Sequence, residues 1–414
     1  MRCSQLFTRT ERRAPSGEPS PNARLLLQAG YIDRVAAGVF TYLPLGLRVL
    51  NAVQTIVREE MIRLGAQEIL MPALHPKDPW AVTGRWQDPG PAVMFQFVAP
   101  GGAEYGLGWT HEEIVTPLVK RYLRSYRDLP FSVFQIQDKF RNEPRAKSGL
   151  LRGREFSMQD LYSFHGDGDD LEGFYQRVID ADRRVFSRCD LEAVLTEASG
   201  GAFAKYSHEF QVVTPYGEDV ILRCQGCNYA QNREVSQYRA GDSCPQCQGQ
   251  FLEEKAIEVG NIFKLGTRFS DAFGLTYRDV QGAVKPVWMG CYGIGPSRVM
   301  GAVAEIHHDE RGLRWPASVA PFLVHLLALG PAPAVAARAD RWYERLTSAG
   351  VPVFYDDRAA ASAGEKFSAA DLIGLPWRAV VSVKTGDQLE LKSRTSGVPE
   401  LVSLDALLAR VPSR

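Results

Sequence analysis

The sequence predicts an α+β domain built on an antiparallel sheet with flanking helices, followed by a small C-terminal α/β domain. Three observations carry this. Strand signals flank a basic, glycine-containing hairpin loop between Phe140 and Phe156. After Pro316 the pattern turns to apolar strands alternating with amphipathic helices. Between these parts, four cysteines in two CxxC pairs mark a small insert.

A length of 414 residues suits two or three domains. Residues 1–25 are polar and Pro-rich and read as a poorly ordered lead-in. Residues 26–318 form the first domain, with the cysteine insert at about 222–256, and residues 319–414 form the second. In the first domain, Leu50, Val53, Val57, Met61 and Leu64 make a helical stripe. A strand, Glu68–Pro72, follows, and its proline suits an edge or interface position. Phe134–Gln137 and Phe156–Met158 are strands on either side of the basic loop. Residues 168–189 are helical, with Leu171, Phe174, Tyr175, Val178, Ile179 and Val185 facing inward. In the second domain the order is strand 323–329, helix 334–349, strand 351–357, helix 367–372 and strand 379–383.

Charge excludes an overall basic nucleic-acid binder, since 48 Lys+Arg balance 48 Asp+Glu. No apolar run reaches membrane-spanning length, and the N-terminal stretch lacks the apolar core of a secretory signal. Four of the seven cysteines are spaced Cys224-x2-Cys227-x16-Cys244-x2-Cys247, the spacing of a four-cysteine zinc ribbon. A redox pair and a decayed site are the competing readings. The other cysteines are unpaired in spacing, which fits a reducing compartment: the cytoplasm, with an organellar matrix left open.

The loop 140–156 carries the chemistry. Between Arg141 and Arg154 the five basic residues Arg141, Arg145, Lys147, Arg152 and Arg154 accompany a single acid, Glu143. Guanidinium groups grip phosphate oxygens bidentately, so such a loop suits a polyphosphate. Glu143 supplies the acceptor that an adenine amino group needs, and Phe156 offers a face for a base. A solvated basic loop that binds nothing is the plain alternative. Farther on, Gly290-Cys291-Tyr292-Gly293-Ile294-Gly295-Pro296-Ser297-Arg298 precedes an apolar helical run, Val299–Ile306. Its glycines allow close backbone approach, and Arg298 falls at a helix start, where an anion is favoured.

These two segments resemble motifs 2 and 3 of class II aminoacyl-tRNA synthetases, and the helix and strand at 47–72 resemble motif 1. Finer phrases resemble prolyl-tRNA synthetases of the bacterial and mitochondrial type: Tyr42-Leu43-Pro44-Leu45-Gly46, Thr110-His111-Glu112-Glu113, Gly149–Phe156, Ser207-His208-Glu209-Phe210 and Gly260–Thr267. The resemblance runs from about Gln28 to the C-terminus. It implies a class II catalytic domain, a C-terminal anticodon-binding domain and a homodimer joined through motif 1. The implied reaction uses ATP and Mg2+ to adenylate proline and passes the prolyl group to tRNA(Pro). About 130 residues separate the motif 2 and motif 3 phrases, too few for the large editing domain of many relatives.

The resemblance also implies roles. Arg141 faces the α-phosphate and the substrate carboxylate, and with Arg298 is the catalytic pair. Arg152 and Arg298 hold the γ-phosphate end, Glu143 reads the adenine amino group and Phe156 stacks on the ring. Thr110 and Glu112 bind the proline nitrogen, a charge-assisted pair. His208 lines the proline pocket. Two departures stand out: Trp109 where the family has proline, and Phe203-Ala204-Lys205-Tyr206 where it has small residues. Three readings therefore stand at this point: a proline–tRNA ligase, a paralogue that adenylates an analogue or another small amino acid or uses another acceptor, and a non-catalytic tRNA-binding or regulatory protein.

Overall fold

The computed structural model describes residues 1–11, 13, 20–201, 203, 206–395 and 397–411, with Tyr206 described in its backbone only. The chain divides into two units. One comprises Met1–Val35, Phe40–Val53 and Val303–Arg414, and the other Ala36–Val39 and Gln54–Ala302.

The second of these is built on a nine-stranded sheet. Its strands are β1 (Gln67–Glu68), β2 (Phe131–Phe140), β3 (Glu155–His165), β4 (Ala193–Ser199), β5 (Tyr206–Val213), β6 (Asp219–Cys224), β7 (Ala230–Asn232), β8 (Phe251–Gly266) and β9 (Trp288–Ile294). The order across the sheet is β5-β4-β7-β6-β8-β9-β3-β2-β1, and β5 also pairs with β8. The predicted hairpin is β2–β3, in register from Phe131↔Phe164 to Phe140↔Glu155, so the basic loop hangs from its end. The helix Gly168–Arg188 covers one face of the sheet with the predicted stripe, all of it buried. Asp167 starts this helix by accepting a hydrogen bond from Asp170 N at 2.9 Å.

β8 pairs antiparallel with three strands. Against β5 its register slips: Phe210 faces Gly260 but Gln211 faces Glu258, which leaves Val259 as the extra residue of a bulge. A bulge restarts the two-residue alternation. It therefore brings Glu258 and Asn261 to the same face, where the Asn261 amide donates to Glu258 at 3.2 Å.

The motif 1 helix spans Pro44–Arg63 and buries Val53, Val57 and Met61. The strand expected at 68–72 is shorter than predicted, since only Gln67–Glu68 pair with β2. Ile69 N donates to Phe134 O at 2.8 Å, and beyond it side-chain amides replace the backbone ladder. Met71 N donates to Gln135 Oε1 and Gln137 Nε2 donates to Met71 O, each at 2.9 Å.

The other unit contains a five-stranded sheet: β10 (Val324–Leu329), β11 (Val353–Asp356), β12 (Trp377–Ser382), β13 (Leu389–Ser393) and β14 (Glu400–Val402), ordered β11-β10-β12-β13-β14. The first three are parallel and the last two antiparallel. Val324, Leu326 and Ala328 pack with Trp342 and Leu346 of the helix Pro333–Ser348. Leu327 and Val380 pack with Ala370 of the helix Ala363–Ile373. That helix starts earlier than its apolar residues indicate, because Ser362 and Glu365 form a capping box. β13, β14 and the short helix after them are too short to show a period in the sequence.

The lead-in is corrected for residues 1–11. Tyr355 N donates to Met1 O at 2.9 Å, Arg2 pairs with Asp340 at 2.7 Å, and Ser4 donates to Asp357. A helix then runs from Pro21 to Gln28 with Pro21, Ala23, Leu25 and Leu26 buried. Polar composition misled here, because these contacts are charged and hydrogen-bonded rather than apolar. Among the described residues, no helix is long and apolar enough to cross a membrane.

Candidate active site

A cavity of about 270 Å3 opens on the sheet face away from the helix 168–188, between β2, β3, β8 and β9. Of the residues predicted from sequence, Thr110, Arg141, Glu143, Phe156 and Arg298 line it. Arg141 leaves the end of β2, and its N–H closes the hairpin on Arg154 O at 2.8 Å. Its guanidinium lies 5.1 Å from the Phe156 ring. Its Nε is buried and has no hydrogen-bond partner among the described residues. Burial, and then the neighbouring Arg298, hold the Arg141 pKa below its ordinary value. A buried cation in that condition is a site for an anion.

Three of the other groups are paired within the chain. Arg298, at the start of the helix Pro296–Ile306, donates to the Glu258 carboxylate at 2.8 Å. Glu143 accepts from Arg152 Nε at 2.9 Å, and Arg152 also reaches Glu218 at 3.1 Å. Arg152 thus does not line the cavity itself but grips a residue that does. The cavity lies just under the roughly 300–1,000 Å3 range of pockets that hold drug-sized ligands.

At another part of the cavity wall, Thr110 precedes the helix Glu112–Tyr122. Glu112 is fully buried behind the wall, accepting from Thr110 Oγ1 at 2.6 Å and from the Cys291 thiol at 3.1 Å. Its place in the first helical turn is favourable for a carboxylate. Thr110 and Cys291 line the cavity, and so do Trp109 and Phe203, whose ring centroids are 5.7 Å apart. Ala204 and Lys205, in the same departure from the family pattern, lie outside the described residues.

His208 is corrected. It lies on β5 opposite Ile262, and its Nδ1 hydrogen-bonds the Tyr175 hydroxyl at 2.8 Å, on the helix-covered face of the sheet. The next residue, Glu209, points the other way, where Asn261 donates to it at 3.3 Å. Strand alternation decides this: adjacent residues cannot share a face.

Sequence reasoning missed several groups. Lys139 is buried against Asp160 at 2.6 Å, and both line the cavity. The polar alternation Gln135, Gln137, Lys139 in a buried strand was the available signal. Glu258 and Asn261 also line it, with the buried Asn261 Oδ1 lacking a partner among the described residues. Gly293 forms part of the wall, where a Cβ would come within 2.4 Å of Met158 Cε. The fully enclosed Arg85 had no signal.

Elsewhere in this unit the four cysteines meet. Their sulfur atoms all lie within 4.8 Å of one another. Each CxxC turn aims a backbone N–H at its first sulfur, Gly226 N to Cys224 and Gln246 N to Cys244. β6 and β8 pair down to Cys224↔Phe251, so the insert continues the sheet. Four converging sulfurs with N–H donors suit a tetrahedral metal.

Comparison with known proteins agrees with this arrangement. Residues 95–307 match the tRNA synthetase class II core domain (G, H, P, S and T), and residues 323–414 match the anticodon binding domain. The fold is shared with solved structures at low identity. Giardia lamblia prolyl-tRNA synthetase in complex with prolyl-adenylate has a TM-score of 0.76 at 21% identity, over 92% of this chain and 74% of that one. Prolyl-tRNA synthetase from Cryptosporidium parvum complexed with L-proline and AMP has a TM-score of 0.75 at 16% identity, over 94% and 73%. The core, its cavity and the C-terminal domain define a class II aminoacyl-tRNA synthetase. Among curated relatives, the proline–tRNA ligase of Nocardioides sp. is 34% identical over 99% of both chains. That of Dehalococcoides mccartyi is 31% identical over 99% of this chain and 98% of its own. The chain belongs to the proline–tRNA ligase family.

Proposed function

We propose that the cavity activates proline with ATP, and that the chain then joins the prolyl group to tRNA(Pro). The proline carboxylate attacks the α-phosphate, pyrophosphate leaves, and a ribose hydroxyl at the tRNA end displaces AMP from prolyl-adenylate. The chemistry needs two anions held together and charge on phosphorus stabilised, which is positioning and electrostatics. The observation that carries the reading is Arg141, half-buried at the cavity with a buried Nε that has no partner among the described residues. Arg298 and Arg152 take the γ-phosphate end, Glu143 the adenine amino group and Phe156 the ring face. Thr110 and Glu112 take the proline nitrogen. The Glu258 carboxylate and Asn261 Oδ1, which has no partner among the described residues, would hold a Mg2+ brought with ATP, which would screen phosphate charge.

A second reading is favoured by Trp109 and Phe203, which stand in the wall at the amino-acid end. It is adenylation of a proline analogue or another small amino acid. Pyrophosphate exchange over the common amino acids and cyclic analogues separates the two. We expect proline to lead, with alanine slow but measurable, since a hydrophobic pocket loses only about 1–3 kcal/mol per missing methylene. Preformed Ala-tRNA(Pro) should survive incubation with this chain, which we read as lacking its own editing domain. A lead for another amino acid would favour the second reading.

We also propose that Cys224, Cys227, Cys244 and Cys247 hold one structural zinc. Metal analysis should find about one zinc per chain, and Cys244→Ser should lose it while proline-dependent exchange persists. Native protein without zinc, and with four titratable thiols, would refute the site. The exposed Ile62 and Leu70, at the end of the motif 1 helix and after it, fit burial in a homodimer, which sedimentation at micromolar concentration reads. We place the activity in the cytoplasm, with an organellar matrix the other compartment that free cysteines fit; cell fractionation that finds the chain in an oxidising compartment would overturn this.

A further inference from the structure

We propose that Arg85 is a positioning residue for the amino-acid end of the cavity: it keeps the Glu112 carboxylate charged and fixed behind Thr110 and Cys291, ready for a protonated substrate amine. The inference rests on the reading of the site given above.

Arg85 follows the short helix Lys77–Val82 and is 2% exposed. Its Nη1 lies 3.2 Å from Glu112 Oε2 and 2.9 Å from Glu113 Oε1. Thr83 Oγ1 also donates to Glu113 at 2.8 Å. Two adjacent, fully buried carboxylates thus share one cation. The other charged groups nearby do not balance them. Lys139 is taken up by Asp160 at 2.6 Å. His75 and His111 are held neutral, chiefly by burial. The Cys291 thiol is pushed up by burial and then by Glu112, so it stays neutral. Arg141 acts on this end only at longer range and faces the cavity. Burial raises the Glu113 pKa to about 7; where Glu113 is ionised, one negative charge in the pair is left without a counter-ion, and the protonated secondary amine of the substrate is the cation that completes it.

The surroundings of Arg85 explain how it stays charged there. Its guanidinium lies 4.4 Å from Trp109, 4.9 Å from Phe203, 5.4 Å from Phe269 and 5.5 Å from Trp80. Nε and Nη2 are buried without hydrogen-bond partners among the described residues, so aromatic faces are what they meet. Trp109 and Phe203 therefore do two things: they wall the cavity and they enclose the cation behind it. Without Arg85, two buried carboxylates would face each other and take up a proton between them. Any share of that proton on Glu112 removes the charge the amine requires.

The test is steady-state pyrophosphate exchange on the full chain, with a thermal melt of each variant. Arg85→Met should raise the proline KM about tenfold or more while the ATP KM stays within about twofold, and the defect should shrink as pH rises and re-ionises the pair. Arg85→Met with Glu113→Gln restores one carboxylate with no competitor, so the proline KM should recover most of the way. Arg85→Lys keeps the charge, though not the planar guanidinium among the rings, and should recover part of the loss of Arg85→Met. Proline and ATP KM rising together would overturn the inference. So would a double variant no better than Arg85→Met, or an Arg85→Lys that folds yet matches Arg85→Met. A wild type without proline-dependent exchange would overturn the reading of the site, and this inference with it.

Discussion

Arg141→Ala should lose about a hundredfold or more in proline-dependent pyrophosphate exchange, with its melting temperature little changed. On the proposed reading the side chain sits where the two substrates meet, over the Phe156 ring at 5.1 Å, with a buried Nε that no described residue satisfies. Burial and Arg298 already work against its charge. Removing it relieves that electrostatic cost in the empty protein, so the fold has little to lose. The transition state loses its main counter-charge at the α-phosphorus in a low-dielectric cavity, where such a charge is worth most. Arg141→Lys should recover only part of the loss, because an ammonium on a flexible stem cannot bridge two oxygens as the planar fork does. The loss should fall on kcat and kcat/KM alike. Exchange within about threefold of wild type in Arg141→Ala would take this residue out of the site.

Arg141, Glu143 and Arg298 were legible because charge on a glycine-containing hairpin and an arginine at a helix start are local patterns. The hairpin itself was legible for the same reason: β2 and β3 pair neighbouring stretches of sequence. What the sequence hid depends on register and on contacts between distant segments. His208 and Glu209 are neighbours in one phrase, and only the pairing of β5 with β8 decides which of them lies on Asn261's side of the sheet. The bulge at Val259 brings Glu258 and Asn261 together against simple alternation, and nothing local announces it. Arg85 was invisible because its meaning comes from two glutamates and four aromatic rings drawn from elsewhere along the chain. The expected strand at 68–72 failed for a related reason: Gln135 and Gln137 side chains substitute for the partner strand.

Glu112→Gln should raise the proline KM roughly tenfold to a hundredfold and leave the ATP KM nearly unchanged, the size expected when a hydrogen bond to a charged group becomes neutral. The glutamine is the same shape, so Thr110 and the wall keep their places. Its amide brings donors where Thr110 and Cys291 already donate, however, and offers no charge to an ammonium. The fold should not suffer, because Arg85 would then face Glu113 alone. In the wild type, burial pushes the Glu113 pKa from about 4.5 up to about 7, and the charge on Glu112 adds to the rise. A carboxyl raised in this way binds its proton more tightly in the folded chain than in the unfolded one. Its contribution to stability therefore falls as pH climbs from about 4.5 to 7 and is level beyond. With Glu112 neutral, Arg85 should draw that pKa down and flatten the slope. The decisive pair of measurements is exchange kinetics and thermal melts between pH 5 and 8. A raised proline KM with a flatter melting profile would place the amine-binding charge on Glu112. An unchanged KM with the same flattening would leave Glu112 a brace for Arg85 and put the amine against Thr110 and some other acceptor.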